Sequence, residues 1–158
     1  MTPAPALIVR RAGPADAAAV GQLLYDFNRE YDEPCPEPGA IAARIRELIC
    51  EGGDTAVLLG GAGPDGVAVM RFRKSLWTPN LECYLAELYV VPDRRGGGLG
   101  RALMNAAMEL AREEGADYMD LGTSEDDVAA RALYESLGFD NHEGRPDGPR
   151  ALYYEREL

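Results

Sequence analysis

The chain has 158 residues, 46% of them hydrophobic and 27% charged, which is ordinary globular composition and enough for one domain with one core. Its 27 acidic against 16 basic residues give a formal net charge of −11, which argues against a nucleic-acid partner. No apolar run approaches the ~20 residues of a membrane helix. Cys35, Cys50 and Cys83, with His142 as the only histidine, have no metal-ligand spacing, so no metal is expected and a reduced, cytoplasmic setting is. Met1 to Ala6 lacks a basic region ahead of an apolar one and does not read as a secretion signal.

Leu7 to Arg11 reads as a first strand, closed by Gly13-Pro14. Ala15-Asp16 then opens a helix with Ala17, Val20, Leu24 and Phe27 on one face and Leu23 beside them. Its end, from Tyr25 to Glu33, is acidic and aromatic. Pro34-Cys35-Pro36-Glu37-Pro38 breaks the chain, and a second helix follows on Ile41, Ile45 and Leu48. Asp54 to Leu59 reads as a strand, and Gly60 to Gly66 as a flexible hairpin connection. Val67 to Arg73 forms the next strand, with Ala68, Met70 and Phe72 alternating against Val67, Val69, Arg71 and Arg73. Trp77-Thr78-Pro79-Asn80 turns the chain back.

The stretch that follows organises the rest. An apolar run, Leu85-Ala86-Glu87-Leu88-Tyr89-Val90-Val91, stops at Pro92 and is followed by Arg94-Arg95-Gly96-Gly97-Gly98-Leu99-Gly100-Arg101. A helix on Leu99, Leu103, Ala106 and Leu110, widened by Ala102 and Ala107, begins inside that loop. Free N–H groups at a helix N-terminus beside glycines suit a phosphate. The Walker pattern fails because Arg101-Ala102 stands where Lys-Ser or Lys-Thr is needed, and the dinucleotide fingerprint fails because its third glycine falls on Arg101 or Leu103. The overall negative charge does not forbid an anion. At a Debye length of ~8 Å a phosphate mostly feels its neighbours, here Arg94, Arg95 and Arg101.

Gly115 stops the helix, and Tyr118 to Leu121 is a short strand. Thr123 to Asp127 carries the capping residues and early acids of a helix start, with Val128, Ala132, Leu133 and Leu137 as the buried face. Gly138-Phe139 ends that helix, and Ala151 to Glu155 supplies a last strand. With no repeat and no long linker, this order predicts a single α/β domain with a mixed sheet.

Arg95-x-x-Gly98-x-Gly100 resembles the acetyl-CoA loop of the GCN5-related N-acetyltransferases (GNAT family). The later block Ala129-Ala130-Arg131-Ala132-Leu133-Tyr134-Glu135-Ser136-Leu137-Gly138-Phe139 is similar to that family's later helix, in the same order and at about the same distance. The resemblance is close from about residue 81 to 143. It implies a GNAT-like, mixed and mostly antiparallel central sheet with flanking helices, one domain over residues 1–158, and acetyl-CoA-dependent transfer of an acetyl group directly to a small or terminal primary amine. It also implies that the pantetheine arm pairs with Leu88, Tyr89 and Val90, where an N–H can polarise the thioester carbonyl. The pyrophosphate would lie on Gly96, Gly97, Gly98, Leu99, Gly100 and Arg101, beside Arg95. Dimers are common in the family, so a homodimer is open to this chain.

Tyr134 matches the family tyrosine that faces the CoA sulfur and is expected to protonate the thiolate, against the alternative of a core tyrosine. Where the family often has asparagine on the pantetheine arm, this chain has Asp127, which accepts but cannot donate when ionised and can equally serve the helix N-terminus. Glu87, a carboxyl within an apolar strand, is expected either to act as general base or to be a partnered or edge-facing glutamate. The acidic segment Asp26 to Glu33 is either a solvated helix end or an acceptor rim for a cationic amine. A regulatory or degenerate acyl-CoA-binding domain without turnover, and transfer of a longer acyl group, are the competing expectations.

Overall fold

The computed structural model describes residues 7–158, so the reading of Met1 to Ala6 lies outside the described residues. Five strands, β1 (Val9–Arg11), β2 (Thr55–Gly60), β3 (Gly66–Lys74), β4 (Leu81–Val90) and β5 (Ala116–Leu121), form one sheet in that order. The first three pairings are antiparallel and β4–β5 is parallel, so the sheet is mixed and mostly antiparallel. The helices are α1 (Ala17–Glu30), α2 (Pro38–Glu51), α3 (Leu99–Glu113) and α4 (Val128–Ser136). Contacts divide the chain into a unit ending at Leu121 and a unit from Gly122 to Leu158.

In the first unit the sheet is covered on both faces. Val57, Leu59, Val67, Val69 and Tyr89 pack with Ala17, Val20, Leu23 and Leu24 of α1 and Ile45 of α2. The alternate residues of β2 and β3, among them Leu58, Ala68 and Met70, take the opposite face, where α3 packs on both strands. Two-sided cover explains why all six residues of β2 are buried and why β3 departs from the expected alternation. From Gly66 to Met70 every β3 residue is buried, and only Arg71, Phe72 and Arg73 alternate with solvent.

Several boundaries shift for physical reasons. The segment Pro14–Asp16 forms a 3-10 turn, with Asp16 Oδ2 accepting from Gly13 N–H at 2.8 Å, so α1 starts at Ala17 rather than Ala15. At its far end α1 closes in a Schellman motif built on a non-glycine residue. Asp32 takes φ +54, and Glu33 N–H reaches Asn28 C=O at 2.9 Å. The buried face of α3 is Leu99, Leu103, Met104, Ala107 and Ala111, while Ala106 and Leu110, expected inside, flank it. Met104 fills that core because its long flexible side chain adapts to the sheet surface.

The connection Gly60 to Gly66 is more than a flexible hairpin. Gly60 and Gly66 are cross-strand partners inside the sheet. A Cβ on Gly60 would lie 2.9 Å from Leu99 Cδ1, and one on Gly66 would lie 2.9 Å from Leu103 Cδ1 and 3.1 Å from the Tyr89 carbonyl. The two glycines let the first turns of α3 sit directly on the strands.

In the second unit, Val128 is 72% exposed and Ala132 is exposed, so of the face expected to be buried only Leu133 and Leu137 are partly covered. Tyr134 is the buried residue of α4, flanked by the partly buried Ala130, Leu133 and Leu137. Val128 is the first helical residue, immediately after the cap, where a side chain projects past the turn. The last strand expected at Ala151 to Glu155 does not form. Strand-forming composition needs a ladder to join. Among the described residues this region offers one bridge, His142↔Arg150, flanked by bonds from Glu143 N–H to Pro149 C=O at 2.8 Å and from Ala151 N–H to Asn141 C=O at 2.7 Å, and Leu152, Tyr153 and Tyr154 are exposed.

Replacing Gly66 by Val places three carbons where Leu103 and the Tyr89 carbonyl already sit. Urea unfolding should show a loss of about 1–3 kcal/mol, the usual cost of overpacking. Unchanged stability would mean that the glycines are not what seats α3.

Candidate active site

The β4 strand changes character halfway along. It pairs with β3 as far as Val90, but its ladder with β5 ends at Leu85↔Leu121. Val91 N–H donates to Asp65 C=O at 2.9 Å, which fixes the phase of the β3–β4 ladder. By alternation, Glu87 and Tyr89 direct their backbone groups toward β3, and Leu88 and Val90 direct theirs to the opposite edge, where β5 no longer follows. Of the three residues expected along a pantetheine arm, Leu88 therefore directs both its backbone groups to that edge, and Val90 its N–H, the Val90 C=O being held by Arg95 Nε. Tyr89 contributes a buried ring instead, stacked on Phe27 at 5.1 Å and 12°.

A β-bulge sets what β4 presents on its faces. Val69 pairs with Glu87 and Met70 with Leu85, so Ala86 is the extra residue. The bulge puts Glu87 opposite Val69, on the face covered by α1 and α2, rather than on the α3 face with Leu85. Nothing in the composition of β4 announces it, and the sequence reading missed it. Glu87 is half-buried, and burial alone pushes its carboxyl above the usual carboxylate value.

After β4, the short turn Pro92–Arg94 leads into the glycine loop. Gly96 has φ +80, and Gly98, the residue before α3, has φ +91, a left-handed conformation that favours glycine. No side chain caps α3, and its first intrahelical bond is Ala102 N–H to Gly98 C=O at 3.0 Å. The N–H groups of Leu99 and Gly100 precede that bond, at the positive end of a 15-residue helix.

The arginines do not stand as a free positive patch. Arg94 Nη1 pairs with Asp65 at 3.0 Å. Arg95 donates from Nε to the Val90 carbonyl at 2.9 Å and from Nη2 to Glu30 at 2.8 Å. Arg101 is an exposed residue of the first turn of α3. Anion attraction at this loop thus rests more on backbone N–H groups and the helix dipole than local arginine charge suggested.

The second unit holds Tyr134 and Asp127. The Leu-Gly-Phe turn is a Schellman motif, with Phe139 N–H donating to Tyr134 C=O at 3.0 Å and Gly138 at φ +92. The Phe139 ring meets Tyr134 edge-on at 6.1 Å, the apolar contact that accompanies this cap. Burial first, and the Asp127 carboxylate second, push the Tyr134 phenol up to about 12. Asp127 Oδ1 accepts from Ala130 N–H at 3.0 Å, so its carboxylate serves as the N-cap of α4.

An uncapped helix start behind a left-handed glycine thus follows a strand edge released by its neighbour, and that strand carries the half-buried Glu87 carboxyl. The acetyltransferase (GNAT) family model matches residues 22–139, which takes in all of these features. The chain belongs to that family. Among relatives of this acetyltransferase, an uncharacterized N-acetyltransferase of Bacillus subtilis is 27% identical over 86% of this chain and 91% of its own length. An aminoglycoside N(6')-acetyltransferase of Stenotrophomonas maltophilia is 28% identical over 95% and 93%. The crystal structure of an acetyltransferase candidate from Arthrobacter sp. FB24 covers 100% of both chains at 43% identity, with a TM-score of 0.87.

If the Asp127 carboxylate acts as a cap, Asp127→Ala should cost about 1 kcal/mol in chemical denaturation and Asp127→Asn only a few tenths. Equal losses from both would remove the capping role.

Proposed function

We propose that residues 1–158 form one cytoplasmic acetyltransferase domain that moves the acetyl group of acetyl-CoA directly to the primary amine of a cationic small molecule or a terminal amine. The observation that carries this reading is the early end of the β4–β5 ladder, which leaves Leu88 and Val90 facing outward immediately before an uncapped helix N-terminus. A pantetheine arm, with its amides, completes such an edge as a further strand would, and a pyrophosphate suits the N–H groups from Gly96 to Arg101. Three free cysteines fit a reducing compartment.

In this reading the arriving ammonium loses a proton to Glu87, directly or through water. The neutral amine attacks the thioester carbonyl, a β4 N–H holds the developing oxyanion, the C–N bond forms and the C–S bond breaks. The sulfur leaves as thiolate and takes a proton. Tyr134 is the donor we assign to it, on the strength of its motif and its buried, fully protonated phenol. At about 12 that phenol is a weaker acid than a thiol of about 8.5, so it serves first as a hydrogen-bond donor to the sulfur. Direct transfer is favoured over an acetyl-cysteine relay because Cys83, the cysteine of β4, is fully buried and its thiol is pushed up to about 11.

A cationic acceptor is supported by the acidic end of α1, where Asp26, Asp32 and Glu33 remain after Glu30 is taken by Arg95. It is also supported by the aminoglycoside class named for the Stenotrophomonas relative. Acetyl-CoA consumption over a panel of amines tests the function. Cationic amines should turn over with an acceptor KM that rises with salt, and consumption with none of them would overturn the reading.

The kcat/KM profile should carry an acid limb at higher pH than an ordinary glutamate, because a raised pKa keeps the base protonated for longer as pH rises. Glu87→Gln should lower the neutral-pH rate strongly, remove that limb and recover in part at high pH. A wild-type profile in the variant would strip Glu87 of its role. Tyr134→Phe should cut turnover by about 100-fold with acetyl-CoA affinity nearly unchanged. Near wild-type turnover would return Tyr134 to core packing.

A further inference from the structure

Arg95 makes more contacts than a phosphate ligand needs, and each leads to a different part of the molecule. Its Nε holds the outward-facing carbonyl of Val90 at 2.9 Å, and its Nη2 holds Glu30 at 2.8 Å. Its guanidinium lies over the Tyr89 ring, 5.6 Å from the centroid. Tyr89 stacks in turn on Phe27, and Phe27 meets Tyr31 edge-on at 5.5 Å. Phe27 and Glu30 belong to the last turn of α1, and Tyr31 is its cap residue. A planar fork with several donors can hold a carbonyl, a carboxylate and a ring face together, whereas a lysine ammonium is a single point charge.

This assembly ties the β4 edge to the helix that borders the Glu87 face. Its value to stability is small, since Arg95 is 42% exposed and such pairs contribute little. Its value lies in geometry, because misplacing an acceptor by about 1 Å can cost 100-fold in rate.

We propose that Arg95 is a positioning residue for the acceptor rather than a ligand of the cofactor phosphates: it holds the last turn of α1, through Glu30 and Tyr89, against the end of β4. The proposal rests on the reading of that edge and loop as the acetyl-CoA site.

Arg95→Gln, Arg95→Lys, Glu30→Gln and the double variant Arg95→Lys/Glu30→Gln separate the two roles. Three measurements are made on each: acetyl-CoA affinity by calorimetry, acceptor kinetics, and amide hydrogen exchange over residues 27–33. Both Arg95 variants and Glu30→Gln should raise acceptor KM about tenfold with kcat less affected, and the double variant should be no worse than Arg95→Lys. Acetyl-CoA affinity should move less than about threefold, and exchange at the end of α1 should quicken in every variant. If Arg95→Gln lost acetyl-CoA affinity and Arg95→Lys restored it, with acceptor KM unchanged, Arg95 would be a phosphate ligand and the proposal overturned. Additive losses in the double variant, or unchanged exchange, would overturn it as well. Should the wild type acetylate no amine, the functional reading fails by itself, and the exchange comparison still decides whether Arg95 braces α1.

Discussion

The site depends on a strand that is shared unequally by its neighbours. β4 must be held by β3 along its whole length to stay in place, yet its other edge must be left open for part of that length. β5 satisfies both demands by pairing with β4 only to Leu85 and then ending at Leu121. Buried backbone groups without partners are costly. An edge left open beside a covered sheet is therefore a place where an extended, amide-bearing ligand gains what a strand would gain. The glycine loop and the start of α3 follow within ten residues, so the covalent chain itself places an uncapped helix N-terminus next to the open edge.

Side-chain charge and backbone dipole play different parts here. Arg94 and Arg95 lie where the sequence suggests an anion clamp, and both are neutralised by carboxylates from other elements, Asp65 and Glu30. Those pairs fasten the loop to the β2–β3 turn and to α1. What remains directed at a ligand is the uncapped helix start, whose N–H groups need no salt bridge to hold them in position. A net charge of −11 does not oppose an anion at such a helix start, because fixed amides act locally.

The sequence disclosed what depends on local chemistry. Gly98, the Leu-Gly-Phe turn and the Asp127 cap are readable because a left-handed φ or an unfilled N–H demands a particular residue type. The strands and the first three helices are readable from periodicity. What stayed hidden depends on distant partners. The Ala86 bulge is a mismatch between two strands, the engagement of Arg95 requires knowing that Glu30 comes alongside, and the inward face of α4 turns on Tyr134 rather than on its aliphatic residues. The C-terminal Leu152-Tyr153-Tyr154 has strand composition without a ladder, a reminder that β preference is largely a property of the neighbours.

The bulge at Ala86 also bears on how such a chain can diversify. Because strand residues alternate between faces, drawing Ala86 into a regular register would send the Glu87 carboxylate to the α3 side and turn the Tyr89 ring away from Phe27. A one-residue insertion or deletion between Glu87 and Val90 would reverse the faces of the residues beyond it in the same way, so a lineage that keeps this arrangement keeps that count. Changes of length and composition are free to accumulate instead between the end of α1 and the start of α2, where no strand register is at stake. Under the proposed function, variation in that segment changes the rim of the acceptor site while β4 holds the carboxylate in place.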